Sequence, residues 1–407
     1  MAREYISCNI TPKGEHALRE GHPWVFGDEI TGIGGTPENG TLVDVLTQKG
    51  KYLGTGFYNN NSKIRVRIIS RNPNDRFDDA FYERRVRYAV DYRRQVMTGD
   101  DFSCCRLIFG ESDMFPGLTV DRFNDILVAQ VLSLGIEKRK DLIFSLLVKV
   151  LDEYGVHIRA IYERNDSSLR EREGMTSGKW FYEAPGLETD LDGHTEICEN
   201  GIHYDVDYIN GQKTGFFLDQ KYNRLATARI SQGREVLDCF THTGAFALNC
   251  AAAGAKHVTA VDVSADAIAL AKGNAERNGL SNIDFVTADV FDYLTDLHER
   301  KQHPFDFIIL DPPAFTKSSS TVSNATRGYR EINTKAMQLL PRGGYLATCS
   351  CSHFMRNDLF QKMLHDAAAD AAVQLRQIEE RQQAPDHPIL RNVPETDYLK
   401  FYLFQVV

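Results

Sequence analysis

The C-terminal half of the chain is organised around VLDCFTHTGAF, residues 236–246. Apolar strand-type residues end in an acid, Asp238, and a loop of small residues then opens a helix at Gly244. In a parallel sheet flanked by helices, ligands bind beyond the C-terminal ends of the strands, and the first N–H groups of the helix can bind an anion. The stretch therefore predicts a ligand site, with Asp238, Phe240, Thr243 and Gly244 beside the ligand.

Strands and helices alternate along the chain after this stretch. Predicted strands at 235–238, 258–262, 283–286 and 305–311 alternate with predicted helices near 244–254, 264–278 and 290–300. A hairpin is predicted before them, at 195–210. This alternation is typical of an α/β domain with a mostly parallel sheet, which we assign to residues 187–407.

The composition of the loop favours S-adenosylmethionine (SAM) as the ligand. A loop that binds pyrophosphate usually carries three glycines, and this one carries a single glycine, which disfavours a nicotinamide oxidoreductase. Asp262 ends the next strand, where a carboxylate can bind both ribose hydroxyls, and Asp289 ends the third strand, where it can meet the adenine. Each of these acids could instead only cap the helix that follows it.

The fourth strand ends in DPPAF, residues 311–315. Two prolines make a stiff loop that cannot continue the hydrogen-bonded ladder. An acid followed by two prolines at this place is typical of methyltransferases that act on polar amino groups or nucleobases. Asp311 is therefore assigned both to the cofactor pocket and to the catalytic site.

The fifth strand ends in two cysteines, Cys349 and Cys351, which strand alternation places on one face. Carbon-5 of a pyrimidine is a poor nucleophile, and a thiolate that adds to carbon-6 makes it reactive. Asp311 could stabilise the adduct near ring nitrogen 3, and a base must then remove the proton from carbon-5. In the alternative interpretation, both cysteines are small buried strand residues.

The N-terminal part of the chain predicts two further domains. Short strands and tight turns over residues 1–75 predict a small β-barrel, and residues 76–186 predict an α+β domain. The segment 63–94 holds ten basic and five acidic residues, a local charge of +5 in a chain whose net charge is −9. Alternation in the strand at 64–69 presents Arg65 and Arg67 on one face.

Composition also excludes several classes. The eight cysteines do not form paired C-x-x-C motifs, so no structural metal is predicted. The sequence shows neither an apolar run long enough to span a bilayer nor the apolar core of a signal peptide. A cytoplasmic location without membrane attachment is therefore expected.

Longer motifs resemble a known family. They are HPWVF at 22–26, GESD at 110–113, PGLTVDRF at 116–123, KTGFFLDQ at 213–220, DPP at 311–313, RGY at 327–329, SCS at 350–352 and APDHP at 384–388. In this order they resemble the RlmI-type large-subunit ribosomal RNA cytosine-5 methyltransferases. The resemblance implies an RNA-binding PUA domain, a central α+β domain and a Rossmann-like class I methyltransferase domain.

The resemblance also implies site residues and partners. Cys351 would be the nucleophile, whereas Cys349 lies where some other RNA cytosine methyltransferases carry theirs. Phe217, Asp219 and Gln220 would lie near the cofactor. The implied substrate is a cytidine of 23S ribosomal RNA, and a homodimer is the implied assembly.

The N-terminal domain would position this RNA through phosphate and sugar contacts. Its predicted RNA-binding residues are Trp24, Lys63, Arg65 and Arg67.

Two positions depart from the family pattern. Ala314 replaces the lysine that often follows Asp-Pro-Pro, which puts a phosphate or base contact in doubt. His353 and Phe354 replace the small residue and leucine expected after Ser-Cys-Ser. His353 is either a proton shuttle or a partly buried structural histidine.

Three hypotheses follow. The first is 5-methylcytidine formation through a covalent cysteine adduct. The second is methylation of an amino group, such as guanine N2, for which the Asp-Pro-Pro loop alone would serve. The third is an RNA-binding assembly factor with a degenerate cofactor pocket, which the intact acids Asp262, Asp289 and Asp311 disfavour.

Overall fold

A computed structural model describes residues 4–316 and 318–407. The chain forms two compact units. The first contains the described residues up to Ile197, with Val206–Leu218 and Pro385–Thr396. The second contains Cys198–Asp205, Asp219–Ala384 and Asp397–Val407. The predicted domain boundaries at residues 75 and 186 stay predictions.

The first unit begins with a six-stranded sheet. Its strands are β1 (Ile6–Ile10), β2 (Trp24–Phe26), β3 (Ile30–Ile33), β4 (Leu42–Leu46), β5 (Tyr52–Tyr58) and β6 (Ile64–Ser70), in the order β2-β6-β5-β4-β1-β3. Helix α1 (Pro12–Arg19) begins where the Thr11 hydroxyl accepts a hydrogen bond from the Gly14 N–H. Val66 and Ile68 of β6 point into the core, so Arg65 and Arg67 lie on the opposite face, as alternation predicts.

A five-stranded sheet follows in the same unit. Its strands are β7 (Cys104–Phe109), β8 (Leu118–Phe123), β9 (Ile126–Val131), β10 (Ala160–Asn165) and β11 (Gly178–Phe181), in the order β11-β10-β9-β8-β7. Its helices are α2 (Asp79–Val96), α3 (Leu134–Glu137), α4 (Lys140–Glu153) and α5 (Leu169–Arg172). These elements form the α+β arrangement that the sequence predicts for this part of the chain. Strands β12 (His194–Glu199) and β13 (Ile202–Asp207) then form the predicted hairpin.

The second unit is built on a seven-stranded sheet. Its strands are β14 (Glu235–Cys239), β15 (His257–Asp262), β16 (Ile283–Thr287), β17 (Phe307–Leu310), β18 (Tyr345–Ser350), β19 (Leu375–Arg381) and β20 (Lys400–Val406). Its helices are α6 (Lys221–Ala228), α7 (Ala245–Ala252), α8 (Ala265–Arg277), α9 (Val290–Glu299), α10 (Val322–Leu339) and α11 (Asn357–Asp370). The strand order is β16-β15-β14-β17-β18-β20-β19.

Strands β14 to β18 run parallel, whereas β20 pairs antiparallel with both β18 and β19. The predicted Rossmann-like sheet is therefore present, with the order reversing between β14 and β17. Leu237 and Ile308 belong to the apolar core on one face, and Val236 and Ile309 to the core on the other. Such burial on both faces explains why these strands read as nearly continuous apolar runs.

Among the helices of the described residues, none is both long enough and apolar enough to cross a bilayer.

Candidate active site

The loop after β14 turns sharply into α7. Phe240, His242 and Gly244 all have positive φ, at 63°, 50° and 83°. A Cβ atom on Gly244 would lie 2.6 Å from the Leu248 Cδ1 atom and 3.0 Å from the Ala271 Cβ atom, so only glycine fits both the backbone angle and the space. The loop thus places the first turn of α7 at the C-terminal edge of the sheet, and Thr243 is buried there.

Asp238 is fully buried beneath this loop. Its Oδ2 atom accepts hydrogen bonds from the Thr241 hydroxyl at 2.5 Å and from the Ala247 N–H at 3.0 Å. Its Oδ1 atom is buried and has no hydrogen-bond partner within the described residues. Burial, with a smaller contribution from the nearby Asp311 charge, raises the pKa of Asp238 to about 7. A buried carboxylate oxygen without a donor fits the ammonium group of an amino-acid ligand.

Asp262 ends β15 with its carboxylate fixed on both sides. Its Oδ2 atom accepts from the His242 N–H and its Oδ1 atom from the Ser264 N–H, each at 2.9 Å. Asp289 is exposed and caps α9, since its Oδ1 atom accepts from the Phe291 N–H at 2.8 Å. Capping therefore accounts for the geometry of Asp289, and its contact with the adenine stays a prediction.

Asp311 follows β17 and faces a cluster of polar groups. The Gln220 Nε2 atom donates to its Oδ1 atom at 3.0 Å, and the Cys349 thiol also bonds to this carboxyl group. Burial first, and then the Asp219 charge, raise the pKa of Asp311 to about 6. Asp219 is itself buried and accepts from the Tyr398 hydroxyl at 2.6 Å. The structure thus brings Asp219, Gln220, Asp311 and Cys349 together, and their contacts with a cofactor or substrate stay predictions.

The two cysteines of the fifth strand have different surroundings. Cys349 is fully buried among apolar side chains, and burial raises the pKa of its thiol well above the ordinary value. Cys351 lies just beyond the end of β18 and is only half-buried. Its Sγ atom lies 4.0 Å from the Pro312 carbonyl oxygen. Both thiols therefore meet the Asp311–Pro312 loop, but only Cys351 is partly open.

Side chains from two other elements hold the turn that carries Cys351. The Tyr329 hydroxyl lies 3.0 Å from the hydroxyls of both Ser350 and Ser352. The buried Lys400 Nζ atom donates to the Ser352 carbonyl oxygen at 2.7 Å and to the Tyr398 carbonyl oxygen at 2.8 Å. Burial lowers the pKa of Lys400 to about 8, and the charge of Cys351 opposes that shift.

Two family models match the chain. A PUA-like domain matches residues 9–71, and an S-adenosylmethionine-dependent methyltransferase matches residues 173–405. The chain is 41% identical, over 96% of its length and 97% of the relative, to ribosomal RNA large subunit methyltransferase I of Pseudoalteromonas translucida. The identity to the protein of that name from Klebsiella pneumoniae is 39%, over 98% of both chains. The chain belongs to the ribosomal RNA large subunit methyltransferase I family.

Solved structures confirm the fold of this family member. A protein from Streptococcus mutans described as a SAM-dependent methyltransferase superposes with a TM-score of 0.81, over 98% of this chain and 100% of that one, at 21% identity. A methyltransferase complexed with SAH gives the same TM-score. The chain is thus a SAM-dependent methyltransferase with a PUA-like N-terminal domain, as the sequence motifs indicated.

The predicted RNA-binding residues of this methyltransferase differ in exposure and in the partners of their side chains. Lys63 is exposed, and the Arg65 guanidinium donates to the carbonyl oxygens of Asn59 and Asn60. The Arg67 guanidinium is instead paired with Glu111 at 3.4 Å and with Glu173 at 3.0 Å.

Trp24 and Phe217 also have neighbours within the first unit. The Trp24 Nε1–H donates to Glu111 at 2.8 Å. The Phe217 ring lies 4.8 Å from the Lys213 Nζ atom, and its contact with the cofactor stays a prediction.

Sequence reasoning did not single out Lys400 or assign a task to Tyr329. A signal for Lys400 is present, because one lysine begins the apolar strand KFYLFQV at 400–406. A lysine is almost never buried without partners, so its position in such a strand indicates a fixed acceptor nearby. Tyr329 was quoted within RGY, and its task becomes visible only when α10 packs beside the turn at Ser350–Ser352.

We expect Asp311→Asn to make the methyltransferase more stable at high pH. A carboxyl whose pKa rises from 3.8 to about 6 on folding stabilises the fold fully below pH 4, and this contribution is lost as the pH rises through 6. Asparagine has no such loss. Between pH 4 and pH 8, the free energy of unfolding of the variant should therefore rise by roughly 1 to 3 kcal/mol relative to that of wild type. The lower value allows for solvent screening. Urea unfolding of both proteins at the two pH values measures this gain, and an equal difference at both pH values would contradict it.

Proposed function

We propose that this methyltransferase forms 5-methylcytidine in large-subunit ribosomal RNA through a covalent adduct with Cys351. The observation that carries the proposal is the position of the half-buried Cys351 thiol, 4.0 Å from the Pro312 carbonyl that directly follows Asp311. An amino-group methyltransferase would need the acid–proline loop and no thiol beside it. The names of the relatives support an RNA substrate, and the PUA-like domain agrees with it.

The cofactor would lie over the C-terminal ends of β14, β15 and β17. Asp238 Oδ1 would accept from its ammonium group, Asp262 would bind the ribose hydroxyls, and Asp219 and Gln220 would line the same space. Phe240, Thr243 and Gly244 would form the wall beside it, with Asp289 and Phe217 as further contacts. When bound, SAM supplies an electrophilic methyl group on a sulfonium sulfur.

The residues of this chain would then act on a cytosine that has left its stack. The Cys351 thiolate adds to carbon-6, and the electrons of the C5–C6 double bond move toward ring nitrogen 3, which accepts a proton or hydrogen bond from Asp311. Carbon-5 becomes nucleophilic and takes the methyl group. Ring nitrogen 3 then returns its proton to Asp311. After a base removes the carbon-5 proton, the C5–C6 double bond re-forms, the C6–S bond breaks and the thiolate of Cys351 is restored.

Asp311 is suited to this task by its pKa. A pKa of about 6 lets the carboxyl group hold a proton part of the time near neutral pH, which an ordinary aspartate with a pKa near 4 cannot do. Burial is the main cause of the shift, so the task depends on the Asp311 carboxyl group staying shielded from water.

Lys400 would position Cys351 and stabilise its thiolate. With a pKa of about 8, its ammonium is mostly charged at pH 7. We expect Lys400→Met to slow alkylation of Cys351 by iodoacetamide at pH 7 about tenfold, the change for one unit in the thiol pKa. Lys400→Arg keeps the charge and should retain most of the rate. Peptide mass spectrometry reads Cys351 alone, and equal rates in wild type and Lys400→Met would remove Lys400 from this role.

The direct test of the proposed function is nucleoside analysis of ribosomal RNA. Large-subunit RNA from cells that lack the protein should contain less 5-methylcytidine, and active protein should restore it. Appearance of N2-methylguanosine instead would replace the proposal with the amino-group reaction. If calorimetry showed that the purified chain does not bind SAM, the assembly-factor hypothesis would return.

The homodimer rests on the family resemblance alone and is part of the proposal. Light scattering after size exclusion should give twice the chain mass of 46.0 kDa. A mass of one chain would contradict the dimer without affecting the proposed chemistry.

A further inference from the structure

The first unit contains a cavity that no part of the proposed reaction uses. Its volume is about 410 Å³, within the range of roughly 300 to 1,000 Å³ for small-molecule sites. Its lining residues are Gly21, Pro23, Ile68–Arg71, Arg85, Glu111, Met114 and Leu390–Val393. All of them belong to the first unit, so the cavity is formed within one compact body.

The charge of the cavity is positive. Arg71, Arg85 and Arg391 are its basic residues, and Glu111 is its single acid. Glu111 is already engaged, because it accepts from the Trp24 Nε1–H at 2.8 Å and lies 3.4 Å from the Arg67 guanidinium. The lining therefore presents three cations and no available carboxylate, in a chain whose net charge is −9.

Backbone carbonyl oxygens hold two of the three cavity arginines. Arg71 donates to the His22 carbonyl oxygen at 3.2 Å, and Arg85 donates to the Ile69 carbonyl oxygen at 3.0 Å. Among the residues that the structure describes, none of the three guanidiniums forms an ion pair. Asp75 accepts from the Ser70 hydroxyl at 2.6 Å and pairs with Arg84 at 3.4 Å. Burial lowers the pKa of both Arg71 and Arg85, and the charge of Asp75 opposes the shift of Arg85.

Most of the remaining lining is apolar, and Ser70 and Asn392 are its uncharged polar members. Pro23, Ile68, Ile69, Leu390 and Val393 supply aliphatic surface. Met114 adds a large side chain that is 39% exposed. A planar base or a ribose can pack on such a surface, whereas a free phosphate would leave it uncovered. A site that joins arginine forks to apolar surface suits a group that is anionic at one end and flat at the other.

We propose that this cavity binds one nucleotide of a single-stranded RNA segment, with its phosphate on Arg71 and Arg85 and its base against Met114 and the aliphatic lining. The site would anchor RNA through residues other than those assigned to the reaction and would add affinity without base-specific chemistry. It rests on the proposed function for the identity of the nucleic acid. An acidic peptide or a free anion is the competing occupant.

The test measures binding of a short mixed-sequence single-stranded RNA to the full-length protein by fluorescence anisotropy at several salt concentrations. We expect Arg71→Gln/Arg85→Gln to weaken binding about tenfold or more, and to reduce the slope of log Kd against log salt by about 0.7, the value for one lost phosphate contact on a single strand. Arg84→Gln is the matched control, since Arg84 lies beside Arg85 on α2 but is exposed and paired with Asp75. The control should bind RNA like wild type.

A second readout shows that the double variant is folded. Its KM for ribosomal RNA should rise while kcat stays unchanged, because the cavity lies outside the residues assigned to the chemistry. Unchanged Kd and unchanged salt slope in the double variant would overturn the proposal. Loss of inorganic phosphate binding with unchanged RNA affinity would also overturn it and would identify a free-anion site. If wild type made no 5-methylcytidine, the proposed function would be wrong. The difference in RNA affinity between the double variant and Arg84→Gln would still test the proposed nucleotide site.

Discussion

Replacing Cys351 with alanine should lower the rate of methyl transfer by about a thousandfold or more, the usual loss when a covalent nucleophile is removed. Without the thiolate, carbon-5 of cytosine stays a poor nucleophile and the methyl group has no acceptor. SAM affinity should change less than about twofold, since the cofactor is assigned to groups on other strands. Single-turnover kinetics with ribosomal RNA and calorimetry with SAM measure the two quantities.

Cys349→Ala is the matched control for this substitution. Cys349 is fully buried and its thiol pKa is raised well above the ordinary value, so it is mostly protonated and closed to a substrate. The variant keeps Cys351 as its nucleophile. Its activity should fall only slightly, because the substitution leaves a small cavity beside Asp311. An active Cys351→Ala protein together with an inactive Cys349→Ala protein would reverse the assignment of the nucleophile.

Asp311→Asn should reduce methyl transfer by about a hundredfold or more, in the range that general acid catalysis contributes. The amide group can still accept a hydrogen bond from Gln220, but it cannot transfer a proton to the base. The same variant is expected to be more stable than wild type at pH 8, so loss of activity could not be attributed to unfolding. The pH–rate profile of wild type should fall as Asp311 ionises, and a profile of the same shape in the variant would remove Asp311 from the proton transfer.

Much of the second unit could be predicted from the sequence because its signals are local. Strands β14, β15 and β17 are short apolar runs with an acid within one residue of their end, and both features are read without knowledge of the fold. The bounds of β14 and α8 lie within one or two residues of those expected. The acids Asp238, Asp262 and Asp311 follow directly, since parallel strands end at one edge of a sheet.

The surroundings of two residue pairs could not be predicted from their neighbours in sequence. Alternation placed Arg65 and Arg67 on the correct face of β6, but the partners of Arg67 lie 44 and 106 residues away in sequence. Alternation also grouped Cys349 with Cys351, yet β18 ends at Ser350. One thiol therefore enters the core while the other leaves it, a difference that depends on where β20 stops pairing.

The partners of Lys400 and of the cavity arginines also depend on residues that are distant in sequence. The sequence shows a lysine at the start of an apolar strand, but its acceptor, the Ser352 carbonyl, is brought near by the pairing of Ser350 with Lys400. The basic segment 63–94 indicated a charged surface. Side chains from other elements, such as Glu111 and Asp75, determine which of its arginines form ion pairs.

In the proposed reaction, Cys351 bonds to carbon-6 of a cytosine in RNA. Cells given 5-azacytidine make RNA whose modified ring has no carbon-5 proton to remove, so an enzyme that uses this chemistry remains attached to it. After denaturing purification and nuclease digestion, we expect a nucleotide on the peptide that contains Cys351, absent from Cys351→Ala and present in Cys349→Ala. A nucleotide on Cys349 instead, or no adduct on wild-type protein that still forms 5-methylcytidine, would contradict it.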